Sequence, residues 1–206
     1  MELSPPQTDA LTELINIGYG RAAGALSELT GYRVSLEVPR IGMHRIEEIP
    51  PLLAEMVRSD VATVTQVFSG PLAGTAMLIL DEKAAMVLSR LLSDEKNNPG
   101  GFDANGREII SEVGNILLNA CLGVFGNLLQ VQVTFAMPQL QVSAAGRVLE
   151  SVSIEREELQ YGLMVHTRFQ VRASNVTGFL VIVLGITSLD RLLHELDNWE
   201  HRQTSP

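Results

Sequence analysis

The sequence predicts an α/β (equally, α+β) fold, written twice along one chain and closed around a shared β-sheet. Three observations carry that expectation. A stretch near the start returns at a constant offset of 99 residues. Each copy runs on into strand, Gly-containing turn, strand and helix. Two of the strands are apolar throughout, as strands covered on both faces must be.

The copies are Glu13 to Pro39 and Glu112 to Pro138. Without gaps, Glu13, Asn16, Ile17, Gly24, Leu29, Val34 and Pro39 match Glu112, Asn115, Ile116, Gly123, Leu128, Val133 and Pro138. In the first copy Val61 to Phe68 alternates towards Ser69-Gly70-Pro71, Gly74 to Leu80 is an apolar strand, and Asp81 caps a helix over Glu82 to Leu92. In the second, Leu163 to Val171 alternates, Gly178 to Leu184 is apolar, and a helix follows from about Thr187 to Trp199, with Thr187 or Ser188 as its cap. The segment Asp94 to Asn105 is polar and rich in Gly and Pro, a natural hinge. The expected organisation is a single domain over 1–206, with repeat one over about 7–93, a linker over about 94–105 and repeat two over about 106–199. Pseudo-twofold symmetry and one joint core follow from it.

A net charge of −9 argues against nucleic acid, which needs clustered Lys and Arg to neutralise phosphate, and disfavours an anionic membrane surface. The apolar runs are shorter than the roughly 20 residues of a membrane span, and the first residues lack a signal-peptide pattern. A soluble, cytoplasmic protein is expected. The single cysteine, Cys121, sits among Leu118, Leu122 and Phe125 and reads as a small buried hydrophobe rather than a nucleophile. The histidines His44, His166, His194 and His201 lie in unlike contexts and do not suggest a metal set. Met43, Met56, Met77, Met86, Met137 and Met164 read as core filler, and Trp199 as a residue that seals the last helix onto the body.

Helical spacing of 100° per residue over about Thr8 to Thr30 puts Leu11, Ile15, Gly18, Ala22, Leu26 and Leu29 on an inward stripe. Asp9, Glu13, Asn16 and Gly20 gather on the opposite side. The second copy repeats this, with Ile110, Gly114, Leu117, Cys121, Phe125 and Leu128 inward and Glu108, Glu112, Asn115 and Asn119 outward. Helix packing is the expected reason for Gly18, Gly24 and Gly123. A polar outer face is ordinary for any helix, but mid-helix Asn is a mediocre helix former, and the same Glu-x-x-Asn stands in both halves. One turn apart on a rigid helix, the carboxylate can pair with a partner's Lys or Arg, and the amide can hold a water in a fixed direction. No nucleophile with an adjoining base accompanies them, so any chemistry would position water against a group that the partner supplies.

At these residues the sequence resembles the CheC, CheX and FliY phosphatase family. Its pattern is Asp or Ser, three residues, Glu, two residues, Asn, then 22 residues and Pro. Asp9, Glu13, Asn16 and Pro39 fit it completely, and Glu112, Asn115 and Pro138 fit it with Glu108 where Asp or Ser is usual. The likeness runs from about residue 7 to 199. It implies a chemotaxis protein, a hydrolase that removes the aspartyl phosphate of a CheY-like response regulator in two-component signalling. Glu13 and Glu112 would dock the regulator's active-site Lys, and Asn16 and Asn115 would orient the attacking water. Asp9, Gly20, Glu108 and Asn119 would form the auxiliary face. No cofactor of its own is implied, since Mg²⁺ would come with the regulator. CheD, a receptor-modifying deamidase, is a further candidate partner near Arg147 to Leu159. The rival reading is a non-enzymatic adaptor, CheD-binding or flagellar-switch-like. Glu108 in the second motif favours the first site as the more competent. Pro39 and Pro138 are expected to end or bend strands.

Overall fold

The computed structural model describes residues 3–92, 102–151, 161–171 and 174–204; side chains 149–151 and 199–204 are outside that description. Trp199's side chain, much of the expected linker and residues 152–159 of the candidate CheD segment therefore lie outside the described residues.

Helix α1 (Pro5–Thr30) begins earlier than its apolar periodicity predicts, because Ser4 and Gln7 form a reciprocal capping box. Ser4 Oγ accepts from the Gln7 backbone N–H at 3.3 Å and Gln7 Oε1 from that of Ser4 at 3.0 Å. These bonds satisfy N–H groups that the first turn leaves without helical partners. The helix stops at Gly31, whose φ of 69° is left-handed and suits a residue without Cβ. Strands β1 (Val34–Leu36) and β2 (Arg40–Arg45), a 3-10 turn (Ile46–Glu48) and a short helix α2 (Ile49–Met56) precede β3 (Asp60–Ser69) and β4 (Gly74–Asp81). Helix α3 (Glu82–Leu92) then follows, its Asp81 cap accepting from the Ala84 N–H at 2.6 Å.

The second half repeats the order: α4 (Ala104–Leu128), β5 (Thr134–Phe135), β6 (Gln139–Ala144), a 3-10 segment (Ala145–Ser151), β7 (Tyr161–Val171), β8 (Ser174–Leu184) and α5 (Ile186–Thr204). Asp103 caps α4 through the Gly106 N–H at 2.9 Å, so the last two residues expected in the linker are helical. In α5, Ser188 lies within the helix, and its Oγ accepts from the Ala73 N–H at 3.1 Å.

The antiparallel sheet is ordered β1-β7-β8-β4-β3-β5, with β2 also on β7 and β6 also on β3. The halves therefore exchange their edges: β1 and β2 of the first repeat pair with β7 of the second, while β5 and β6 pair with β3 of the first. The two apolar strands, β4 and β8, lie side by side at the centre with Ala76 opposite Ile182. One sheet face is covered by α1, α3, α4 and α5. On the other, Ile49 and Leu53 of α2 and Ala145 and Val148 of the 3-10 segment cover Met77, Ile79, Val181 and Val183. Apolar burial at about 25 cal/mol per Å² acts on both faces of the central strands, which ties the repeats into one core.

Several side chains depart from expectation. Leu29 is 62% exposed and Leu26 carries the last inward position of α1. Gly24 and Gly123 face open space, so packing does not require them, whereas a Cβ on Gly18 would stand 2.9 Å from Cys121 Cα, where α1 crosses α4. Met77 and Met164 are core, but Met56 and Met137 are exposed: Met56 ends α2 and Met137 stands in the bend between β5 and β6. Helix α4 is, by length and composition, apolar enough to cross a membrane, contrary to the sequence expectation. Yet 56% of its apolar window is buried inside the protein, the pattern of a core helix packed between a sheet and α1.

Candidate functional site

Both motif helices expose their outer face. On α1, Asp9, Glu13, Asn16 and Gly20 are all exposed. Residues three and four apart are neighbours on a helix surface, so Glu13 and Asn16 present carboxylate and amide side by side. Among the described residues Asn16 has no side-chain hydrogen bond, and its amide is free to turn.

The α4 site is built differently. Glu108 and Glu112 are exposed, but Asn115 and Asn119 are half-buried. They line a cleft of 710 Å³ whose other walls include Gln66 of β3 and the bend from Phe135 to Pro138. Gln66 is 1% exposed. Its Nε2 donates to Asn115 Oδ1 at 3.3 Å and to the Ala136 carbonyl at 3.1 Å. Asn119 Nδ2 donates to the same Asn115 Oδ1 at 2.9 Å. Asn115 Nδ2 faces Glu112 Oε2 at 3.5 Å. With two donors on its oxygen, the Asn115 amide is held oxygen-inward and nitrogen towards the carboxylate. Among the described residues, Gln66 Oε1 and Asn119 Oδ1 are buried without a hydrogen-bond partner.

The difference originates beneath the helices. Arg40 opposes His166 and Gln139 opposes Thr65, and Arg40 and Gln139 correspond in the 99-residue offset. Thr167 is therefore the first site's equivalent of Gln66. It is fully buried and its hydroxyl bonds the Tyr19 hydroxyl of α1 instead. Burial raises the Tyr19 phenol far above its usual range, with Cys121 adding to the effect and the Thr167 bond opposing it. Tyr19 is thus a neutral core residue, and Leu118 stands at its place in α4.

The prolines sit between β1 and β2 and between β5 and β6. Pro39 is buried, whereas Pro138 lines the α4 cleft. Cys121 is fully buried and its thiol is pushed up by burial, so thiolate chemistry is not available to it. Among the described residues no group of three or more His, Cys, Asp or Glu could hold a metal ion. Glu13 and Asn16 stand exposed on α1, and Glu112 with the half-buried Asn115 lines the α4 cleft, so the motif residues form two pairs on two helices rather than one pocket. Gln66 escaped the sequence reading, although it left a trace: on the helix-facing side of β3 it is the polar member of Ala62, Val64, Gln66 and Phe68.

No family model matches the chain. Among curated proteins it is 23% identical over 166 residues to CheC1 of Halobacterium salinarum, covering 81% of this chain and 84% of that one. It is 25% identical over 168 residues to the CheY-P phosphatase CheC of Bacillus subtilis, covering 78% of each. Among solved structures, Thermotoga maritima FliY superposes with a TM-score of 0.77 at 17% identity, over 96% of this chain and 99% of that one. The FliM middle domain of H. pylori gives 0.67 at 14% identity, over 94% and 99%. In sequence the chain is similar to these CheC proteins, and it shares its fold with FliY and the FliM middle domain.

Proposed function

We propose that this protein hydrolyses the aspartyl phosphate of a CheY-like response regulator. The observation that carries the reading is the Glu-x-x-Asn pair, repeated at one offset on two helices of a duplicated frame, exposed on α1 and opening on a cleft on α4. Its likeness to a curated CheY-P phosphatase supports it. Glu13 and Glu112 would pair with a Lys of the regulator and fix its orientation. Asn16 and Asn115 would enter the regulator's site, where the amide aligns a water with phosphorus. The regulator would bring phosphate, Lys and Mg²⁺. Phosphoryl transfer depends largely on positioning and charge stabilisation, so this chemistry asks for no nucleophile from the helices themselves.

The test is the decay of a phosphorylated CheY-like regulator with and without this protein. Wild type accelerates the decay, and the Asn16→Ala, Asn115→Ala double variant returns it to the spontaneous rate. Binding without acceleration would point instead to an adaptor. That reading is favoured by the likeness to FliM, whose H. pylori form has also been solved in a FliG-FliM complex.

A further inference from the structure

We infer that Gln66 is a positioning residue for Asn115, and that it sets the α4 site apart from the α1 site. This rests on the phosphatase reading and adds to it a residue outside both motifs.

Gln66 lies on the sheet and reaches its helix from below. Its Nε2 is shared between a backbone carbonyl, Ala136 O, and Asn115 Oδ1. The first bond anchors the Gln66 amide to the bend between β5 and β6, and the second transmits that orientation to Asn115. Asn119 adds a second donor from one turn further along α4. An amide is nearly symmetric in shape and can present either its oxygen or its NH₂ outward, so a free Asn samples both. Two N–H donors on Asn115 Oδ1 allow only one of these: the oxygen turned inward and the NH₂ towards Glu112 and the cleft. A water beside the phosphorus then meets a donor in a fixed place, without ordering the side chain at the moment of reaction.

The first site has no such clamp. Thr167, in the place of Gln66, is engaged by Tyr19, and Gly20, in the place of Asn119, has no side chain. Asn16 therefore has its motif partner but neither support. This ranks the α4 site above the α1 site in preorganisation, the reverse of what Glu108 suggested from sequence.

The experiment places Gln66→Leu, which keeps the volume but donates nothing, in two backgrounds. In Asn16→Ala, where only the α4 site works, it is expected to lower kcat by about threefold to tenfold, the worth of one positioning hydrogen bond. KM for the phosphorylated regulator stays unchanged, because Glu112 still docks it. In Asn115→Ala, where only the α1 site works, the same change leaves the rate unaltered. An unchanged kcat in the first background, or an equal loss in the second, overturns the inference. Gln66→Met is the unbranched companion: its thioether cannot donate to Asn115, and it reproduces the loss of Gln66→Leu. The clamp has a readout independent of activity, the Asn115 side-chain amide resonances in the wild type and in Gln66→Leu. A shift of those resonances is expected even if no phosphatase activity is found, which separates failure of the functional reading from failure of this one. Resonances that stay in place refute the clamp.

Discussion

Glycine to alanine at two mid-helix positions is expected to change stability in opposite directions, and the contacts say by how much. At Gly24 of α1 a new Cβ meets nothing within 4 Å. The substitution therefore gains only the difference in helix propensity, about 1 kcal/mol. At Gly114 of α4 the same Cβ would lie 2.5 Å from Val64 Cγ1, 2.7 Å from Val64 Cβ and 2.9 Å from Val64 Cγ2. Rotating Val64 can move the two methyls but not its Cβ, which the β3 backbone fixes. Carbon atoms prefer about 3.5–4.0 Å, so α4 must lift from the sheet by about 1 Å. Overpacking of this kind costs about 1–3 kcal/mol, and a contact that no rotamer can relieve belongs at the upper end. Subtracting the propensity gain leaves a net loss of about 1–2 kcal/mol. Urea unfolding followed by far-UV circular dichroism reads both variants as a midpoint shift at constant m. Gly24→Ala moves the midpoint up and Gly114→Ala moves it down. A rise for both would refute the claim that α4 is seated on β3 by its missing side chain. Asn115 follows Gly114 directly, so the same close approach sets the depth at which the motif amide meets Gln66.

Cys121 is fully buried, with its thiol shifted towards the neutral form. A thiol reagent should therefore label the native protein at least about a hundredfold more slowly than the urea-unfolded chain, and fast native labelling would contradict the packing of α1 on α4. His166 titrates below its ordinary value, through burial first and then the nearby Arg168 and Arg40 guanidiniums; Glu37, bonded to Arg168 at 3.1 Å, and Phe179, stacked on the imidazole, complete its surroundings. The folded protein binds this proton more weakly than the unfolded chain, so this contribution is full above about pH 6.5 and is lost as pH falls towards the lower folded value. His166→Gln should flatten the pH slope of the urea-unfolding free energy over that window, and an unchanged slope would exclude His166 as its source.

Much of this architecture could be read from local patterns. The boundaries of α3 follow from Asp81 and its apolar spacing, and β4 and β8 declare their central position by having no polar face. The outward placement of Glu13, Asn16 and Glu112 needed only the helical angle; Asn115, expected outward with them, is half-buried because the bend between β5 and β6 walls it in. The exchange of edge strands was not legible, because β1 and β5 are three and two residues long, and nothing in so short a run names its partner. Leu29 was misplaced for a related reason: the last turn of a helix can pass beyond the body it packs on, where the inward stripe no longer has a core beneath it. Met56 and Met137 are apolar in composition, but one ends a helix and the other stands in a bend, and neither position faces the interior.

Why two copies of one motif should be held so differently follows from satisfying buried polar groups. Each half places a polar side chain on the sheet beneath its motif helix, Thr167 in one and Gln66 in the other, and both are buried. A buried polar group without a partner is destabilising, so each must find one on the helix above. In the first half the helix offers Tyr19, an inward residue, and the bond closes within the core. In the second half the matching helix position is Leu118, which can accept nothing. Gln66 is long enough to reach past it to the edge of the helix, where Asn115 stands. The exchange of Tyr19 for Leu118 and of Thr167 for Gln66 thus acts as one coupled change. It gives the buried sheet residue a helix partner in both halves, and it turns the motif amide of α4 from a freely rotating surface group into a fixed one.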